Sequence, residues 1–260
     1  MSRQKAKESK LVSILLKEDI IQSALWYGSS LYSEDAPDFD IAIMIPSRNG
    51  VVDSLVYKKL YNVRKLLCKA LEIDVDLVPH TEDELLNYNS PLWNPRYHPA
   101  LCFGKNIKNQ FPNLLPPSRL SKLKFNYSDL IVSRLFDTRT VTRRQLIRSM
   151  QCEESRIFIA KLSHGVGNAL TYISLINHQN YLSDPSDIKS SFKIFDSVYK
   201  ISSERILLLI NECKNIVSKG RNLSSKKILN MMSWYEYLLH CVLERKPRIS
   251  ESFLKNLPQK

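Results

Sequence analysis

The sequence predicts an α+β protein in two parts: an N-terminal mixed sheet with flanking helices, then a C-terminal helical bundle. Two observations lead there. Strand-like and helix-like hydrophobic periods alternate in the first part of the chain, and beyond it only helical spacing recurs. The charge changes at the same place. Residues 1–117 carry 14 Lys+Arg against 14 Asp+Glu, whereas residues 118–260 carry 24 against 12. The whole formal net charge of +12 therefore lies in the second half. Between the halves, Pro112, Pro116 and Pro117 favour extended chain. The expected domains are 1–115 and 116–260.

Residues 8–25 read as a first helix, with Leu11, Ile14, Leu15 and Ile21 on one side. Phe39–Ile45 is short, apolar and rich in β-branched residues, and Pro46, Asn49 and Gly50 bound it, so it reads as a buried strand. Asp53–Leu71 places Leu55, Val56, Leu60, Val63, Leu66, Leu67 and Ala70 at helical spacing, with Asp53 as its N-cap. Glu72–Val78 alternates acidic and apolar residues with period two and reads as a second strand. A third short strand is expected near Ala100–Phe103. In the second half the helical segments are 126–138, 142–150, 153–178, 187–199, 203–219 and 224–244. The break at Asp184–Asp187 fits a helix start and Gly220 a helix end.

Composition excludes several classes. A chain that is 43% hydrophobic and 25% charged has a folded core. No apolar run approaches the roughly 20 residues of a membrane helix, so no membrane partner is expected. The apolar stretch after the basic N-terminus is broken by Lys17, Glu18 and Asp19, unlike a signal peptide. Five scattered cysteines without a CxxC pair read as reduced thiols and a cytoplasmic setting. Neither GxxxxGK[ST] nor GxGxxG occurs. The five histidines show no ligand spacing.

The acidic strands carry the chemistry. Residues i and i+2 of a strand face the same way, about 6.5–7 Å apart. Asp38 and Asp40 therefore share a face, as do Asp74 and Asp76. Carboxylates crowded beside a buried sheet repel one another and lose hydration unless a cation sits between them. Two on one strand and a third on a neighbour make an oxygen-donor set suited to a pair of Mg²⁺ ions, which clamp the attacking and leaving oxygens of a phosphoryl or nucleotidyl transfer. A solvated acidic sheet face is the plain alternative for such a pattern alone. Upstream, however, Tyr27-Gly28-Ser29-Ser30 precedes Asp38 by a short turn. Gly28 lets backbone approach a phosphate, and Ser29 and Ser30 offer hydroxyl and N–H donors.

In Gly28-Ser29, Asp38-Phe39-Asp40 and Asp76 within Val75-Asp76-Leu77-Val78, the chain resembles the polymerase-β-type nucleotidyltransferase superfamily. It looks most like the small, minimal members with an appended helical domain. The likeness covers roughly residues 10–110. It implies that Gly28, Ser29 and Ser30 bind the nucleotide and that Asp38, Asp40 and Asp76 bind two Mg²⁺ ions, for which Mn²⁺ substitutes. Asp76 is the choice for the third carboxylate, which also helps deprotonate the acceptor hydroxyl; Asp74 is the fallback. The turn departs from many minimal members, which carry Arg and a second Gly where this chain has Leu31, Tyr32 and Ser33.

The expected reaction moves an NMP from an NTP donor to an acceptor hydroxyl with release of pyrophosphate. RNA, such as a tRNA 3′ end, is the favoured acceptor because nucleic acid requires a basic track and the second half supplies one. Arg143, Arg144 and Arg148 on the helix 142–150 are the first candidates for RNA phosphates; a solvated helix face is the plain alternative. Two other readings stand beside it: NMP transfer to a protein or small molecule, as in AMPylases, and a non-catalytic binding module.

Overall fold

The computed structural model describes residues 3–48, 51–82, 101, 103–112, 140–148 and 204–244. The chain forms two compact units, one of Met1–Leu123 with Arg143–Met150, the other of Lys124–Thr142 with Gln151–Lys260.

The first unit is α+β. Helix α1 (Arg3–Leu15) leads into strand β1 (Ser23–Tyr27), and a single 3-10 turn (Ser29–Leu31) carries the chain on to β2 (Asp38–Met44). Helix α2 (Ser54–Leu71) joins β2 to β3 (Asp74–His80), and β4 (Lys105–Lys108) follows. The strands form one mixed sheet in the order β3-β2-β1-β4. β1 runs antiparallel to both β2 and β4, while β2 and β3 are parallel. Parallel neighbours cannot be joined by a tight turn, and α2 is the crossover that this pair requires.

Helix α2 forms where its spacing predicts. Tyr57, Leu60, Val63, Leu67 and Leu71 make its buried stripe, and the Asp53 side chain accepts a hydrogen bond from the Leu55 N–H at 2.7 Å. Its end differs slightly from expectation. Glu72 takes a left-handed conformation (φ 56°) and its N–H caps the Cys68 carbonyl, so Glu72 closes the helix and β3 begins only at Asp74.

Two elements differ more. The helix expected over 8–25 ends at Leu15; a turn follows, in which the Ile21 N–H donates to the Glu18 carbonyl, and Ser23–Tyr27 is a strand. All five residues of β1 are buried, so the strand shows no period-two alternation that would betray it in sequence. The strand expected near Ala100–Phe103 lies instead at Lys105–Lys108, and Leu101 is helical. β4 is an edge strand that buries only Ile107 and exposes Lys105 and Asn106, a polar pattern that protects an edge and carries little strand signal.

The core lies on both faces of the sheet. Trp26 stacks on Phe39 with ring centroids 5.0 Å apart, and Leu11, Leu15, Ile41, Ile43, Leu60 and Leu77 are almost wholly buried around it.

In the second unit, α3 (Glu204–Ser218) and α4 (Ser225–Glu244) fall where helices were expected. Gly220 (φ 69°) ends α3: its own N–H and that of Arg221 turn back onto the carbonyls of Val217 and Ile216. Residues 140–148, of which Arg143 onward belong to the first unit, are helical, beginning slightly before the expected 142–150. The expected helices over 126–138, 153–178 and 187–199, and the helix start at Asp184–Asp187, lie outside the described residues. No helix among the described residues is long and apolar enough to cross a membrane.

Replacing the α2 cap tests the local argument. Asp53→Ala lowers the stability of the first unit by about 1 kcal/mol, the usual cost of an unsatisfied helix start, as measured by urea unfolding.

Candidate active site

The strand register gathers the acidic residues. Asp38 lies opposite Asp74 and Asp40 opposite Asp76 on the parallel pair β2–β3. In-register neighbours share a sheet face, so four carboxylates stand in a two-by-two array at the start of both strands. β1 completes the corner: Tyr27 pairs with Asp40, and the chain leaves β1 through Gly28 directly beside that carboxylate.

Gly28 is set there by geometry. Its φ of 85° and ψ of −168° lie in a region essentially restricted to glycine. A Cβ at this position would stand 2.5 Å from Asp40 Oδ2 and 3.3 Å from Asp40 Cβ. The turn that follows is anchored from inside. The buried Ser30 hydroxyl accepts a hydrogen bond from the Trp26 indole N–H at 2.8 Å, which ties the turn to β1. Ser29 is exposed, and its carbonyl accepts from the N–H groups of Tyr32 and Ser33. Of the two serines expected to meet a nucleotide, Ser29 thus faces solvent and Ser30 holds the turn.

Cations meet the carboxylates from two elements. Arg64 of α2 donates its Nε–H to the Val75 carbonyl at 2.8 Å and forms an ion pair with Asp74 Oδ1. Arg148 donates to Asp74 Oδ2 at 2.8 Å and stands 3.5 Å from Asp76 Oδ2; Arg144 pairs with Asp76 Oδ2. Asp74 is therefore held by two arginines. Asp76 is wholly buried; Arg144 and Arg148 both meet its Oδ2, and its Oδ1 has no partner among the described residues.

Arg143, Arg144 and Arg148 do not form the outward patch that helical spacing suggested. Arg143 is completely buried. Arg144 and Arg148, one turn apart, point their guanidinium groups at the carboxylates of β3. Two like-charged residues at i and i+4 are costly on an isolated helix, which was a sign that an acidic surface faces them.

Asp38 and Asp40 have no ion pair among the described residues. Burial pushes the Asp40 carboxyl above its ordinary pKa, and the neighbouring Asp38 adds to the rise; Arg144 and Arg148 oppose it. The donor set, three carboxylates without sulfur or imidazole, has the hard-oxygen chemistry that suits Mg²⁺. Asp76, buried with its Oδ1 unpartnered among the described residues, fits a cation ligand. With the side chains as placed, Asp76 is turned to Arg144, and no three acidic, His or Cys side chains among the described residues converge closely enough to hold a metal ion.

No family model matches the chain, and no curated protein is significantly similar to it in sequence.

Two variants test the corner. Gly28→Ala lowers stability by at least about 2 kcal/mol, because the backbone conformation alone costs 1–3 kcal/mol in any other residue. Part of that loss returns in the Gly28→Ala, Asp40→Ala double variant, where the carboxylate clash is removed while the backbone strain and a tight contact with the Cβ of residue 40 remain.

The second concerns pH. Folded Asp40 keeps its proton to higher pH than the unfolded chain, in which the ordinary value of 3.8 applies. Its contribution is therefore most favourable below 3.8 and is lost as pH rises through the folded pKa. Asp40→Asn raises Tm at neutral pH in EDTA and flattens the decline of stability across that window, read by thermal unfolding at a series of pH values.

Proposed function

We propose that the first unit is a nucleotidyltransferase that moves a nucleoside monophosphate from an NTP to an acceptor hydroxyl and releases pyrophosphate. The observation that carries this reading is the in-register array of Asp38, Asp40 and Asp76 on parallel strands, with Gly28 packed against Asp40. A protein without such a reaction has little reason to crowd three half-buried carboxylates beside a fourth that is wholly buried.

Asp38, Asp40 and Asp76 would hold the Mg²⁺ ions, which would neutralise the triphosphate and polarise the reacting phosphorus. Asp74 is left to structure, since Arg64 and Arg148 already occupy it. Gly28 allows the chain to pass close to the phosphates where a side chain would block Asp40. The exposed Ser29 offers its hydroxyl and N–H to the phosphates, while Ser30 keeps the turn in place through Trp26. The acceptor oxygen bonds to the α-phosphorus, the bond to pyrophosphate breaks, and Asp76 takes the hydroxyl proton.

RNA is the acceptor this reading favours. The excess of 24 Lys+Arg over 12 Asp+Glu in residues 118–260 supports it, as a helical domain of that charge suits a phosphate backbone. Because Arg144 and Arg148 face carboxylates, the RNA track is assigned to other basic residues of the second half. The odd number of scattered cysteines without a CxxC pair supports a reducing, cytoplasmic setting.

The test is incubation of the purified chain with each α-³²P-labelled NTP, Mg²⁺ and total RNA, and separately with protein lysate. Label enters RNA with wild type and is lost with Asp38→Asn, Asp40→Asn and Asp76→Asn, each checked for folding by circular dichroism. Label on protein instead replaces the RNA acceptor. Transfer that survives Asp40→Asn overturns the assignment of the site.

A further inference from the structure

The ion pairs on β3 have a second use. Resting on the nucleotidyltransferase reading, we infer that Arg144 and Arg148 are the polyphosphate-binding residues of this site, held on Asp74 and Asp76 in the free protein and passed to the phosphates when Mg²⁺ takes the carboxylates.

Four features point this way. The two arginines stand one helical turn apart, and both guanidinium groups end on the carboxylates of one strand. They remain 35% and 32% exposed, so a ligand arriving from solvent meets them, whereas Asp76 behind them is 0% exposed. The contact with Asp76 runs through one guanidinium nitrogen to Oδ2 rather than through the two parallel donors of a fork, so Asp76 Oδ1 and Arg144 Nε are both buried without a hydrogen-bond partner among the described residues. Both partners therefore retain bonding capacity that a metal and a phosphate oxygen would each satisfy. Finally, Asp74 keeps Arg64 when Arg148 leaves, so the exchange strands no anion there.

Charge makes the exchange concerted. A divalent cation alone must displace Arg144 from Asp76 and leave both guanidinium groups beside its own charge. A polyphosphate alone draws the guanidinium groups away and leaves Asp76 as a buried, uncompensated anion. Metal and polyphosphate together swap partners with no group left unpaired. The site thus discriminates in favour of a metal-complexed nucleoside triphosphate over either component, and the recognition lies in the phosphates rather than the base.

The test uses two probes on the full chain: Mn²⁺ alone, followed by the paramagnetic resonance signal of the free ion, and inorganic tripolyphosphate with Mg²⁺, followed by titration calorimetry. Arg144→Gln and Arg148→Gln bind Mn²⁺ more tightly than wild type, since a competing cation is gone. They bind tripolyphosphate more weakly, by on the order of tenfold for each lost charge-assisted contact. Opposite signs are the signature; a merely structural role weakens both, and a merely competitive one tightens Mn²⁺ while leaving tripolyphosphate unchanged. Either of those results overturns the inference. If Arg144→Gln does not fold because Asp76 is left unpaired, Arg148→Gln carries the test, as Arg64 still holds Asp74. Asp40→Asn separates the two levels. If wild type binds Mn²⁺ through Asp40 but the arginine variants bind it no tighter, the exchange alone falls. If no form binds Mn²⁺, the metal site falls with it.

Discussion

Like charges set in register on neighbouring strands impose the condition that the rest of the first unit answers. Strand neighbours stand about 4.8 Å apart, and at that separation, half out of water, carboxylates repel strongly. The pairs Asp38–Asp74 and Asp40–Asp76 have this arrangement. The fold relieves it in two ways. Arg64, Arg144 and Arg148 bring positive charge to the β3 members. The β2 members lack such partners among the described residues, and the burial of Asp40 is met by a raised affinity for a proton. The helical residues 143–148 are thereby joined to the sheet by charge: Arg144 and Arg148 reach the carboxylates, and Leu146 and Ile147 between them are wholly buried.

The same constraint explains the turn after β1. A side chain between β1 and Asp40 would displace the carboxylate, so the chain passes there as glycine in a conformation that other residues avoid. Backbone bonds onto the Gly28 and Ser29 carbonyls close the turn, and the buried bond from Trp26 to Ser30 ties it to β1. Trp26 in turn stacks on Phe39, the residue between the two acidic positions of β2. One indole thus connects the core, the turn and the acidic strand, and the placement of Asp40 relative to Gly28 depends on all three.

A buried carboxylate facing a third-exposed arginine is a poor source of stability, because the desolvation of both groups offsets their attraction. On the exchange proposed above, its value lies in being exchangeable. A corner that balances its charge internally would then accept a ligand that carries both signs of charge without leaving either unpaired. This links the electrostatics of the empty fold to the chemistry proposed for the filled one.

How much of this was legible in the sequence follows from the range of each interaction. Helix α2, its Asp53 cap and the strands β2 and β3 are written in local periodicity and were readable, as was the sharing of a face by Asp38 with Asp40 and by Asp74 with Asp76. The shift of β3 to Asp74 was not, since it depends on Glu72 adopting a left-handed cap. Strand β1 escaped because burial on both faces erases alternation, and β4 because an edge strand of Lys and Asn looks like a loop. The arginines show most plainly where sequence stops. Their types and their spacing on a helix are local facts, and they suggested an outward, phosphate-facing surface. Only the tertiary structure decided that Arg143 is interior and that Arg144 and Arg148 face Asp74 and Asp76, residues far away along the chain. Periodicity determines which residues share a face; which faces meet is determined by packing and charge compensation across the whole unit, and no local window contains that information.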